Sequence, residues 1–256
     1  VLTTLFNRKR LLPFLNVFFP HFCRLCKQRI LTEENAFFCP ECWELSPRIE
    51  RPFCPVCGKP HPRGVAMMNP TLFPCGPCAT TKDRFPFRRA ISSAHFTGAI
   101  AEGIKLLKFQ GKKRLAKPLA ALLTKTIQSE LDPNEYNAIV PVPLYPVRLR
   151  ERGFNQSLLL AEEIKALFPN AVLDLSLKRI RPTRTQSLIT DRKERTRNVR
   201  GAFAVLGEAC QLKNAGVLLI DDVITSYGTV SECTRALRRA GVGFVDVLSV
   251  AMGTPV

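Results

Sequence analysis

The chain has 256 residues, 46% of them apolar and 23% charged, the proportions of a globular protein with material for one large core or two smaller ones. Lys and Arg number 38 against 21 Asp and Glu, a formal charge of +17. This balance argues against a disordered chain or a membrane-embedded bundle and points to polyanionic partners.

Residues 1–20 open with Arg8, Lys9 and Arg10 before an apolar run, like the start of a signal peptide. The run falls short of the roughly 20 residues that span a bilayer, Pro13 interrupts it, and no small-residue cleavage site follows. The expectation is a short amphipathic segment packed on the rest of the protein, with peripheral membrane contact as the lesser alternative. No other stretch reads as transmembrane.

Eight of the ten cysteines form four Cys-x2-Cys pairs, Cys23/Cys26, Cys39/Cys42, Cys54/Cys57 and Cys75/Cys78, with gaps of 12, 11 and 17 residues. Repeated pairs suit metal binding in a reducing cytosol rather than disulfides. Two pairs about a dozen residues apart make a zinc ribbon, in which four thiolates close a tetrahedron around Zn²⁺ and leave no open position. Two structural zinc sites are therefore expected, in consecutive ribbons over 23–42 and 54–78, with interleaved ligation as the alternative. Each filled site carries a net −2, which lowers the charge to about +13. Cys210 and Cys233 read as small core residues.

From residue 88 the texture changes. Residues 90–96 read as a strand, and a helix opens at Thr97-Gly98, with apolar Ile104 and Leu107, basic Lys105 and Lys108, and a stop at Gly111. A second helix is expected to run to about residue 129. Residues 137–141 are a short strand that continues into Val142, Pro143 and Leu144. The stretch 145–156 alternates Arg148, Arg150 and Arg152 and reads as a basic turn, with Gly153 and Asn155 in turn conformations before a helix over 157–168. Its guanidinium groups suit a bidentate grip on phosphate, and a solvated basic turn is the plainer reading. Strand-like runs at 171–177 and 199–205 flank a second basic loop. Between Arg148 and Arg200 lie thirteen Lys or Arg against six Asp or Glu, the footprint of a surface for phosphate backbones.

Val217-Leu218-Leu219-Ile220 reads as a strand buried on both faces, as in a parallel sheet. Asp221 and Asp222 are expected to end it, where doubly wound sheets bind ligands. Thr225, Ser226, Gly228 and Thr229 follow, and a helical stretch covers 232–240. A turn bearing hydroxyls and glycine offers N–H groups and a positive dipole end to a phosphate, while the acids suit ribose hydroxyls or a divalent metal. A phosphorylated ribose meets both demands; an ordinary strand followed by a helix cap is the plainer alternative.

This stretch resembles the signature of type I phosphoribosyltransferases, which bind phosphoribosyl diphosphate (PRPP). The resemblance implies an α/β fold with a mostly parallel sheet flanked by helices. It implies that Asp221 and Asp222 face the ribose 2′- and 3′-hydroxyls and that Thr225, Ser226, Tyr227, Gly228 and Thr229 wrap the 5′-phosphate. It also implies that Val142, Pro143 and Leu144 hold the pyrophosphate of PRPP·Mg²⁺. Tyr227 departs from the pattern, since a small residue is usual there. A bulky side chain within the phosphate loop is expected, with either Gly228 supplying the flexibility or ligand affinity reduced or lost.

The four cysteine pairs, Leu-Lys-Phe-Gln-Gly ending at Gly111, Pro-Val-Pro-Leu at 141–144, Arg-Gly-Phe-Asn-Gln at 152–156, Thr-x2-Gln at 183–186 and Asp-Asp-Val-Ile-Thr at 221–225 together resemble the competence protein F family. That resemblance implies a double zinc ribbon over 21–85 fused to a phosphoribosyltransferase-like domain over 86–256. It implies handling of single-stranded DNA on the cytoplasmic side during uptake for natural transformation. A weaker alternative is an adaptor whose zinc ribbons dock a partner such as a DNA-uptake helicase or an inner-membrane channel. Arg148, Arg150, Arg152, Asn155, Gln156, Gln186, Arg192 and Arg195 are the candidate contacts to nucleic acid or pyrophosphate. No general base stands out, so a PRPP-binding DNA protein and an active transferase with an unidentified acceptor both stay open.

Overall fold

A computed structural model describes residues 20–30, 37–62, 73–81, 84–183, 197–207 and 212–253. The expected N-terminal segment, apart from Pro20, lies outside these residues, as do Gln186, Arg192, Arg195 and Cys210. No helix among the described residues is long and apolar enough to cross a membrane.

The ribbons come first: β1 (His21–Phe22) pairs antiparallel with β2 (Arg29–Ile30), and two short helices follow, α1 (Pro40–Glu44) and α2 (Gly76–Thr80). Cys39 and Cys75 are the N-caps of these helices, so each second cysteine pair sits on a helical first turn opened by a proline at N1 or N2. After them strands and helices alternate. The order is β3 (Arg89–His95), α3 (Gly98–Gln110), α4 (Ala116–Glu130), β4 (Ala138–Pro141), α5 (Pro146–Arg152), α6 (Gln156–Ile164) and β5 (Val172–Leu173). A hairpin of β6 (Leu177–Arg179) and β7 (Phe203–Val205) leads to β8 (Gly216–Ile224), α7 (Gly228–Arg239) and β9 (Phe244–Met252).

The main sheet has the order β3-β9-β8-β4-β5, and every neighbouring pair is parallel. Its central strand is apolar on both faces. Leu218 and Ile220 join one core with residues of α3, α4 and α6, and Val217 and Leu219 join a second with α7 and the hairpin. This is a parallel α/β sheet covered on both sides, with the ribbons packed against one edge. From β4 the chain turns one way to β5, and from β8 it turns the other way to β9. The switch point therefore lies between β4 and β8, where the carboxyl ends of the two strands leave a crevice.

The free edge of β3 is covered by the ribbon chain. Ile49 N–H donates to Ser93 O at 3.0 Å, His95 N–H to Pro47 O at 3.0 Å and Ala90 N–H to Val56 O at 2.9 Å. An unpaired edge would invite other strands, and here it is closed from within the molecule. Thr97 makes no side-chain cap at the start of α3; Ser46 Oγ, from the first ribbon, accepts the Ala99 N–H at 3.1 Å instead. Gly111 ends α3 with a left-handed φ of 64°, a geometry that favours glycine.

Three expectations need correction. Asp221 and Asp222 do not end their strand. Pairing with β4 stops at Ile220, but pairing with β9 continues through Ile224, because β9 is long and Val223 and Ile224 are β-branched. The arginine-rich turn is a helix, α5, opened by Pro146 and closed by Gly153 at φ 75°. The helix after the acids begins at Gly228, so Gly228 and Thr229 form its first turn and the loop proper is Thr225 to Tyr227.

Candidate functional site

The floor of the crevice is the pair of acids on β8. Asp222 is 2% exposed and Asp221 8%. Asp222 forms an ion pair with Lys108, on the last turn of α3, and accepts a hydrogen bond from Gln156 Nε2 at 3.1 Å. Gln156 in turn accepts from Arg152, whose guanidinium lies 5.8 Å from the ring of Phe109. Asp221 accepts from Ser157 Oγ at 3.2 Å and from the Asp222 N–H at 2.9 Å. Burial and the adjacent Asp222 charge push the Asp221 carboxyl well above the usual carboxylate range. Burial also opposes ionisation of Asp222, but the Lys108 ammonium outweighs it and holds that carboxyl below the usual range. The two acids thus have unlike protonation behaviour, set by one lysine that the sequence reading did not single out.

Thr225 to Tyr227 leads into the amino end of α7. Ser226 Oγ is buried and has no hydrogen-bond partner among the described residues. An unsatisfied buried hydroxyl costs on the order of 1–3 kcal/mol, so its place beside the orphan N–H groups of a helix start is informative. Tyr227 takes the left-handed conformation, φ 59°, and its hydroxyl reaches the Cys57 carbonyl in the second ribbon.

On the β4 side, Val142 is buried, its N–H donating to Ile220 O at 2.9 Å, and its carbonyl accepts from Asn155 Nδ2 at 3.0 Å. The Asn155 side chain also caps α6 by accepting the Ser157 N–H at 3.0 Å. Asn155 is therefore committed to holding the loop at 142–144 against α6. Pro143 and Leu144 are half-buried at the crevice rim. Arg148 and Arg150 are exposed on α5, Arg148 pairing with Glu151 at 2.8 Å, while Arg152 turns inward.

The β6–β7 hairpin packs against α7. Arg179, on β6, is half-buried, its ring neighbour is Phe203 at 5.5 Å, and its Nε lacks a partner among the described residues. Burial draws the Arg179 pKa below its ordinary value. This arginine escaped the sequence reading, although it sits in the same basic stretch. The conformation of the loop carrying Gln186, Arg192 and Arg195 lies outside the described residues.

The cysteines gather as two consecutive sets, Cys23, Cys26, Cys39 and Cys42, and Cys54, Cys57, Cys75 and Cys78, with the sulfur atoms of each set within 4.8 Å of one another. Tetrahedral zinc with Zn–S bonds of about 2.3 Å requires sulfur separations of roughly 3.8 Å. Cys26 and Cys39 lie 3.6 Å apart and Cys57 and Cys75 3.7 Å, so the sets fit the metal and the interleaved alternative is set aside. Backbone N–H groups reinforce the fit by pointing at sulfur, Cys42 to Cys39 Sγ at 3.4 Å and Cys75 to Cys54 Sγ at 3.3 Å. These eight thiolates would hold two structural zinc ions.

Comparison with known proteins agrees with this architecture. Residues 14–79 match the double zinc ribbon domain. Competence protein F of Haemophilus influenzae is 27% identical over 237 residues, covering 91% of this chain and 98% of that protein. DNA utilization protein YhgH of Salmonella typhimurium is 29% identical over 231 residues, covering 89% and 95%. Competence protein ComFC of Bacillus subtilis is 24% identical over 213 residues, covering 82% of each. Among solved structures, the allosteric regulatory enzyme of purine biosynthesis aligns with 53% of this chain and 26% of its own at 18% identity, with a TM-score of 0.33, a likeness too slight to bear on the fold.

Proposed function

The chain is similar to competence protein F and its DNA-utilization relatives along about nine-tenths of its length, and from that premise we propose that it is a cytoplasmic protein for handling incoming single-stranded DNA whose crevice binds PRPP·Mg²⁺. The observation that carries the ligand reading is the buried Ser226 hydroxyl, without a partner among the described residues, in the loop that joins two buried acids at the switch point to the start of α7. A 5′-phosphate accepts from that hydroxyl and from the helix N–H groups, and ribose hydroxyls donate to Asp221 and Asp222. The rim at 142–144 and Arg152 would border the pyrophosphate, and Mg²⁺, when bound with it, would supply positive charge there. Of the phosphate-loop residues, Thr225, Ser226, Gly228 and Thr229 face this task through the loop and the first helical turn, and Tyr227 through its backbone alone.

Arg148 and Arg150 lie exposed on α5 and are proposed contacts to DNA phosphates, as are Gln186, Arg192 and Arg195, which lie outside the described residues. A strand bound through phosphates loses affinity steeply as salt rises. Catalysis is the second reading: Arg152, bonded to the Gln156 that serves Asp222, and Arg179 on β6 suit the charge that develops on a departing pyrophosphate. An uptake helicase or a membrane channel remains the proposed protein partner.

Calorimetric titration of PRPP·Mg²⁺ into the zinc-loaded chain, beside Asp221→Ala with Asp222→Ala, tests the crevice. Saturable binding that disappears in the double variant while the circular dichroism is kept is the expected result. Equal affinity in the two proteins would remove the acids from the site. Pyrophosphate release in the presence of candidate acceptors separates the transferase from the binding protein.

A further inference from the structure

Tyr227 is the point where the phosphate loop and the second ribbon meet. Its hydroxyl donates to the carbonyl of Cys57 at 2.7 Å, and its ring lies 4.9 Å from that of Phe85 and 6.1 Å from that of Phe87. Cys57 is one of the second four-cysteine set, so the acceptor belongs to a metal knuckle. The knuckle is fixed on its other side as well. Ala90 N–H donates to Val56 O at 2.9 Å, and a Cβ on Gly58 would come within 2.4 Å of Ala90 O, so no side chain fits there. Beneath the contact is a cavity of about 80 Å³, lined by Cys57, Cys75, Cys78, Thr225 and Tyr227 among others. The first ribbon docks elsewhere, through Ser46 on α3 and through Phe38 and Trp43 beside Gly103.

We propose that Tyr227 is a positioning residue that makes the shape of the phosphate loop depend on the second zinc site. Filled, the knuckle presents the Cys57 carbonyl where the phenol reaches it, and the backbone at 225–227 is held in its left-handed turn. Emptied, the four sulfurs lose the ion that ties them together, the knuckle opens and the phenol loses its acceptor. A left-handed tyrosine is held only by its surroundings, so the loop then relaxes and its N–H groups disperse. The residue that breaks the usual small-residue pattern thus connects a structural metal to a ligand site. The inference rests on the phosphate reading for its functional consequence, but the latch itself is a statement about the loop.

The test uses the full chain with hydrogen exchange at the amides of residues 226–230 and calorimetry of PRPP·Mg²⁺ side by side. Tyr227→Phe keeps the ring packing and removes only the hydroxyl. It is expected to retain both zinc ions, melt cooperatively, and lose amide protection and PRPP affinity by roughly five- to tenfold, the size of one neutral hydrogen bond. Cys78→Ser, which removes the second zinc, should lose at least as much at the same amides, and Cys26→Ser, which removes the first, markedly less. Unchanged protection in Tyr227→Phe, or equal losses in the two cysteine variants, would overturn the latch. If the zinc-loaded parent takes up no PRPP, the phosphate reading fails and the exchange data alone decide the latch.

Discussion

Buried acids occur at both ends of the main sheet, and the two ends treat them differently. At the amino end of β9, Asp246 is 1% exposed and accepts from Arg88 Nε at 2.9 Å, Arg89 Nε at 2.8 Å and Tyr136 Oη at 2.7 Å. Glu135 shares Arg88, and the Arg88 guanidinium lies over the Phe244 ring at 3.9 Å. At the carboxyl end of β8 two acids adjoin, one lysine serves Asp222, and Ser226 Oγ and Arg179 Nε stay without partners among the described residues. A carboxylate ringed by two guanidinium groups and a phenol has no need of a ligand. A cluster with an acid pushed toward its neutral form and two unmet donors is poised for one.

Mutation sharpens that contrast. Asp246→Ala removes the buried counter-charge of Arg88 and Arg89 and leaves them only the exposed Glu135, which should cost about 3 kcal/mol, read from the urea midpoint. Asp221→Asn relieves a repulsion within the crevice and should raise the midpoint, by about 1 kcal/mol, while abolishing ligand binding. Comparable destabilisation by both changes would end the distinction between a scaffold cluster and a binding cluster.

The two ends should also oppose each other in pH dependence. Burial disfavours charge on Asp246, but hydrogen bonds from Arg88, Tyr136 and Arg89 hold its folded pKa below the ordinary value. Its stabilisation is complete above the ordinary carboxylate range and is lost as pH falls through the lowered folded value. Asp221 is raised by burial and by Asp222, so its contribution is complete below the ordinary range and is lost as pH rises through the raised value. Urea midpoints across a pH series should therefore fall at both extremes, and Asp221→Asn should remove the loss on the alkaline side only. The smallest effect belongs to Arg148→Ala. Its pair with Glu151 is exposed, so stability should stay within about 0.5 kcal/mol. If α5 contacts a DNA phosphate, the salt slope of strand binding should fall by about one unit.

What could be read from the sequence was local chemistry. Cys-x2-Cys pairs state their ligand sets through spacing, and Val217 to Ile220 followed by acids and hydroxyls states a buried strand and a loop. Helix α5 carries its own start and stop signals, Pro146 and Gly153, so it was legible in the sequence as a helix. What stayed hidden depends on distant partners. Lys108 meets Asp222, and Arg88 meets Asp246, only after strands far apart in the chain have paired. Tyr227 was legible as an anomaly in the loop, but the direction of its side chain is set by the ribbon, which no local pattern encodes.

The strand order also sets a timetable. Strand β3 pairs with β9, and Arg89 finds Asp246 157 residues later. At roughly 5–20 residues per second of synthesis, that interval is about 8–30 s, during which β3 has left the ribosome without its sheet neighbour. The ribbons fold over short cysteine spacings and emerge earlier, and the segment around Pro47, Ile49 and Val56 already bonds the opposite edge of β3. The edge of β3 bonded by this segment thus has its partners in chain that precedes it, whereas its other edge must wait for the last strand to be made.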